Sequence, residues 1–271
     1  MKRNTSQIIE LKSFLDEQVM HYNSLSFVEN DPVFIPHQFS KKEDIEISGF
    51  FAATLAWGNR KSIITNGSKL MLLMDNLPFI FLTQADKSDL KLFKKFVHRT
   101  FNGNDCFQFI MQLKRIYVDN GGLEKVFTEG LKLLPEQKTT TAFIANQPLA
   151  HSIHHFRKVF LGDLIDTRIK KHVADPISNS TAKRICMYLR WMVRNDEHGV
   201  DFGLWKNISP SLLHCPLDVH SGRVAREMGL LQRSQNDWKA VVELTDNLKI
   251  LDGGDPVKYD FALFGSGVEN K

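Results

Sequence analysis

Ser40-Lys-Lys-Glu-Asp-Ile-Glu-Ile-Ser-Gly-Phe-Phe-Ala-Ala-Thr-Leu-Ala-Trp-Gly58 reads as a helix with both ends marked. Ser40 and Glu43 have capping-box spacing: the serine can accept from the amide three residues on, and the glutamate can reach back. Gly58 can close the far end in a left-handed turn. Between them, Ile45 to Trp57 is apolar on most faces, and such a helix belongs in a protein centre. Working outward, residues 8–22 repeat apolar side chains at helical spacing. A Pro-punctuated extended stretch follows at Asp31–Pro36. Further helices are predicted at about 61–75, 87–97, 104–118, 122–134 and 140–160, each bounded by Gly, Pro, Asn or Asp. Asp255-Pro256 opens a last helix, predicted to stop at Gly265. No segment alternates convincingly as a strand, so the expected class is all-α. Two helical lobes are expected: a central one at 45–200, and a second formed by 1–44 with 211–271. An irregular connector spans 195–215.

Composition narrows the function classes. The chain has 271 residues, 42% hydrophobic and 24% charged, with a net charge of +4. That suits a water-soluble globular protein with a substantial core. No apolar run reaches the roughly 18 residues of a membrane span. The N-terminus leads into a mixed polar helix, not a secretory apolar core, so the chain reads as cytoplasmic. Cys106, Cys186 and Cys215 are scattered without CxxC spacing, which argues against a disulfide framework, a structural zinc and a cysteine-bound cluster. There is no P-loop, GxGxxG or GxSxG, so neither a nucleotide cofactor nor serine hydrolysis is supported, and no cofactor is expected.

Positive charge gathers between His151 and Arg194, where nine Lys and Arg face three Asp. Such a cluster suits a polyanion, or is simply a solvated face. Within it, Ser180-Thr-Ala-Lys-Arg-Ile-Cys-Met-Tyr-Leu-Arg-Trp-Met-Val-Arg194 reads as a helix. With Ser180 as cap, Lys183 sits in the first turn. There the helix dipole and Arg184 both disfavour its charge, leaving more of the neutral amine that attacks a carbonyl-like carbon. Lys183, Met187, Arg190 and Arg194 share one stripe that could follow a phosphate backbone. In Pro216-Leu-Asp-Val-His-Ser-Gly-Arg223, Asp218 reads as the cap of another helix. Taken singly, Lys183 is a surface lysine and Asp218 a plain cap.

The two segments together resemble the helix-hairpin-helix DNA glycosylase superfamily, especially its oxidised-guanine glycosylase/lyase branches. Ala182-Lys-Arg-Ile-Cys-Met-Tyr-Leu-Arg190 looks like the lysine-bearing helix, and Pro216-Leu-Asp-Val-His220 like the segment carrying the catalytic carboxylate. The helices at 40–57 and 59–75 match the superfamily's early helices in type and order. The whole chain also resembles a bacterial family of uncharacterised proteins. Its marks are Leu189-Arg-Trp-Met-Val-Arg194, Pro216–His220 and Asp255-Pro-Val-Lys-Tyr-Asp-Phe-Ala-Leu-Phe-Gly265.

The glycosylase resemblance implies a DNA partner. It makes Lys183 the Schiff-base nucleophile at a flipped damaged nucleotide and Asp218 the catalytic carboxylate. It also implies nucleic-acid contacts at Arg184, Arg190, Arg194, His220, Arg223, Asn59 and Arg60, where Asn59 also fits as a helix cap. Arg99 and Phe101 could line a base pocket, with Phe96 and Phe101 as core the other reading. The superfamily's Gly-x-Gly turn is replaced here by Asp175-Pro-Ile-Ser-Asn-Ser-Thr-Ala182, and 195–215 lengthens the gap between the two site residues. His151, His154 and His155 share one helical stretch but lack HExxH spacing, so no metal is assigned. Lys258 and Asp260 are weaker site candidates. A non-catalytic nucleic-acid-binding module and a protein-interaction protein remain the alternatives.

Overall fold

A computed structural model describes residues 4–86, 88–133, 142–162 and 167–269. Residues 87, 134 and 140–141 of the expected helices lie outside the described residues, as do Asp163 and Asp166 of the basic stretch. The fold is all-α. The one sheet among the described residues pairs Val97–His98 with Phe101–Asn102, two strands too short to show alternation in sequence. The chain divides into two compact units: Met1–Phe27 with Gln137–Ala150 and Asp175–Lys271, and Val28–Glu136 with His151–Ala174. These boundaries differ from the expected 45–200 lobe. The Lys183 helix groups with the C-terminal helices, because its buried arginines pair with acids contributed from that part of the chain.

In the Val28–Glu136 unit, the helix Lys42–Leu55 is buried from Asp44 through Leu55. Phe50 packs on Phe109, Phe156 and Phe160. The predicted capping box is absent: the cap is Lys41, with no side-chain cap bond. Asp44 instead accepts from the Phe79 amide at 2.8 Å, serving the start of the Pro78–Gln84 helix. The buried Glu46 accepts from the Tyr117 hydroxyl at 2.7 Å, a partner a buried carboxylate requires.

In the other unit, the Asp260–Glu269 helix packs on both Lys12–Tyr22 and Val219–Glu227. Gly265 does not stop this helix. A Cβ there would lie 2.2 Å from the Tyr22 ring, so the glycine permits a close helix crossing. Asp255 holds the expected cap position before Pro256 but makes no side-chain cap bond, and its carboxylate pairs with Arg194 at 2.8 Å. The 195–215 connector is largely irregular but well packed, with Val200, Trp205, Ile208 and Leu213 buried. The amides of Phe202 and Trp205 donate to the carbonyls of Trp191 and Met192. These are last-turn carbonyls that a helix leaves unsatisfied, so the connector finishes the Lys183 helix.

His214, also in this unit, stacks on Trp238 with ring centroids 5.0 Å apart. Burial pushes its imidazole down to about 4, and the Lys249 charge adds to the effect. The unfolded chain takes up this proton near pH 6.5, before the folded one does. Stability from this group is therefore lost as pH falls from about 6.5 to 4, by up to about 1.4 kcal/mol per pH unit. The raised pKa of Asp260 works in the opposite direction, so the measurement is a difference. Melting of wild type minus His214→Gln should narrow steadily below pH 6.5. A constant difference would remove the assignment.

Candidate functional site

Lys183 begins the helix Lys183–Val193, and Asp218 caps the helix Val219–Glu227. Lys183 Nζ lies 3.3 Å from Asp218 Oδ2, with the two side chains 27% and 30% exposed. The carboxylate divides its oxygens. Oδ1 accepts from the amides of His220 at 2.8 Å and Ser221 at 3.0 Å, while Oδ2 meets the amine. Ser221 Oγ accepts from the Asp218 amide, completing a capping box. One oxygen thus fixes the carboxylate and leaves the other for a partner. Burial opposes ionisation of Asp218, but the Lys183 charge and the cap amides outweigh it and hold its carboxyl below the usual range.

The N-terminal turn before Lys183 differs from the expectation. Ser180 does not cap, and the cap residue is Ala182, so Lys183 is the first helical residue and not the third. Asn179 and Ala182 have φ of 63° and 47°. The turn without glycine therefore places two other residues in the left-handed region. For alanine this costs about 1–2 kcal/mol relative to glycine. Ala182→Gly should stabilise the protein by up to about 1 kcal/mol, after the added freedom of the unfolded chain is subtracted. Urea denaturation checks this, and a destabilised variant would show that the buried methyl outweighs the strain.

The expected basic stripe is corrected more deeply. Arg190 and Arg194 are each only 3% exposed. Arg190 pairs with Asp201 at 3.3 Å and with Asp260, and lies over the Phe261 ring. Arg194 pairs with Asp196 at 2.6 Å, Asp201 at 3.1 Å and Asp255 at 2.8 Å. The stripe exists as helix geometry, but tertiary packing buries all of it beyond Lys183, so these arginines cannot track a phosphate backbone. Arg184 is half-buried, and burial pulls its guanidinium pKa down. On the Asp218 helix, His220 is exposed, and Arg223 pairs with Glu227 at 2.9 Å.

Asp260, a weak signal in sequence, lies within electrostatic range of the pair. Burial raises its carboxyl to about 6, against the charges of Arg190 and Lys183, with Asp218 and Asp201 adding repulsion. Lys258 is engaged elsewhere, with Asp252 at 2.7 Å. Cys186 and Cys215 are buried, and burial pushes both thiols up, which makes them poor nucleophiles.

In the other unit, Asn59 caps the helix Arg60–Leu72 by accepting from the Ser62 amide at 3.2 Å. Phe101 is fully buried against Phe109 and His172, so it is core and lines no base pocket. Arg99 is exposed. No group of three or more His, Cys, Asp or Glu among the described residues is placed to hold a metal ion. No helix among them is long and apolar enough to cross a membrane.

Fold and site together define an all-α protein with a partly exposed lysine–carboxylate pair at two helix starts. The chain belongs to the family described as "Protein of unknown function (DUF2400)", whose model matches residues 31–269. Comparison with curated proteins and with solved structures gives no match.

Proposed function

We propose that this is a DNA repair glycosylase/abasic-site lyase of the helix-hairpin-helix type, acting on a flipped damaged nucleotide in the cytoplasm. The observation that carries the reading is the 3.3 Å approach of Lys183 Nζ to Asp218 Oδ2, with both groups still reachable by solvent. The Lys183 amine attacks C1′ of the extruded sugar. The C1′–N bond breaks, and its electron pair leaves with the base, which takes up a proton. Asp218 Oδ2 accepts the amine's proton and stabilises positive charge on the sugar. The sugar ring then opens to a C1′=Nζ Schiff base. Loss of a C2′ proton breaks the C3′–O bond, and water releases the amine.

The cap bonds to Oδ1 support this role, because they hold the carboxylate in place without occupying Oδ2. The test is borohydride trapping of the protein on duplexes carrying an abasic site or an oxidised guanine. A covalent adduct mapped to Lys183 is expected. No adduct on any lesion would sink the lyase reading, leaving a binding module or an interaction protein in which the pair only ties two helix starts together.

A further inference from the structure

Gly58 and the hairpin turn at Arg99–Thr100 form a second built feature, within the Val28–Glu136 unit. The strands pair Val97 with Asn102 and His98 with Phe101, leaving Arg99 and Thr100 as the turn. The hairpin is held from several sides. Phe101 is buried, Asn66 Nδ2 lies 3.1 Å from His98 Nδ1, and Arg168 donates to the Thr100 carbonyl at 2.8 Å.

On this rigid base Arg99 takes φ 55°, a left-handed conformation that non-glycine residues adopt at a cost. Its guanidinium lies 4.9 Å from the centre of the Trp57 ring. Gly58, at φ +107°, lies directly beneath it, and a Cβ there would stand 2.8 Å from Arg99 Nη1. Among the described residues Arg99 makes no hydrogen bond or ion pair beyond this stack. Backbone strain, a glycine and an aromatic ring thus hold one exposed arginine over Trp57.

We propose that Arg99, stacked on Trp57, is a nucleic-acid contact in which the guanidinium edge takes a phosphodiester and its outer face accepts a base. A stacked guanidinium keeps its fork of donors for bidentate binding of phosphate oxygens. An exposed guanidinium beside an aromatic ring suits a nucleobase, which an acidic peptide does not supply. The next residues, Asn59-Arg-Lys61, begin a helix whose positive end and basic side chains favour the same anion. The inference rests on the proposed function only in taking nucleic acid as the ligand, since no step at Lys183 depends on it.

The experiment is fluorescence anisotropy with labelled single-stranded and duplex oligonucleotides between about 50 and 200 mM salt. Arg99→Gln should weaken binding about 3- to 10-fold at low salt and flatten the salt slope by about one phosphate, roughly 0.9 for duplex and 0.7 for single strand. Arg99→Lys should keep the slope and lose affinity, because a point charge without the stack remains. The exposed site leaves melting unchanged in both variants. A wild type without salt-dependent binding, an Arg99→Gln slope equal to wild type, or equal competition by polyglutamate would each overturn the proposal. Borohydride trapping is read on the wild type at saturating duplex. No wild-type adduct while Arg99→Gln still flattens the salt slope removes the lyase reading alone, and a wild-type adduct with equal slopes removes this site alone.

Discussion

Lys183→Gln is expected to reduce borohydride-trapped adduct to background and strand cleavage by at least about 10³-fold. Glutamine keeps nearly the length and polarity of the side chain but has no nucleophilic amine. Because Lys183 is partly exposed, losing its ion pair should change stability by no more than about 1 kcal/mol. Activity and stability therefore separate. Asp218→Asn sharpens the separation. Asparagine caps helices as well as aspartate, so the helix start at Val219 should survive. The charge beside Lys183 is gone, and the rate should fall about 10²- to 10⁴-fold. Single-turnover kinetics and thermal melting read both variants. If Lys183→Gln still traps, another amine is the nucleophile and the reading is wrong. If both variants lose several kcal/mol of stability, well beyond the ~1 kcal/mol of an exposed pair, the pair is a structural tie.

The largest stability effect is expected at the buried arginines. Arg190→Met keeps the side chain's approximate length and removes its charge, leaving Asp260 and Asp201 without that cation in the interior. Breaking a buried pair in this way costs about 3–5 kcal/mol. Arg194→Met faces three carboxylates, Asp196, Asp201 and Asp255, and should cost at least as much. Adding Asp260→Asn to Arg190→Met should recover part of the loss, because one stranded charge is removed. The two changes should be clearly non-additive in a denaturation cycle. Strict additivity, or a cost under about 1 kcal/mol, would place these arginines nearer solvent than the structure does.

Several features are legible in the residues alone. The buried helix at 42–55 follows from its apolar surface, and the cap at Asp218 from a carboxylate before a helical run. Phe96 and Phe101 were legible as core. Other features depended on partners far along the chain. Ser40 and Glu43 have capping-box spacing, yet the helix starts one residue later, with Lys41 at the cap. Gly265 looks like a terminator, but its role is set by the Tyr22 ring. The basic stripe of the Lys183 helix is correct as helix geometry. It misled because helical spacing fixes which side chains share a face, not what covers that face.

The sequence by itself determined the all-α class, the helix bearing Lys183 and the cap at Asp218. Local propensity, apolar spacing and hydrogen bonds within a few residues suffice for these. Only the tertiary structure decided that Lys183 meets Asp218 at 3.3 Å while Arg190 and Arg194 are buried against acids up to 70 positions away. Charge pairing and burial depend on distance in space, and across a 35-residue gap the order of the chain does not set that distance.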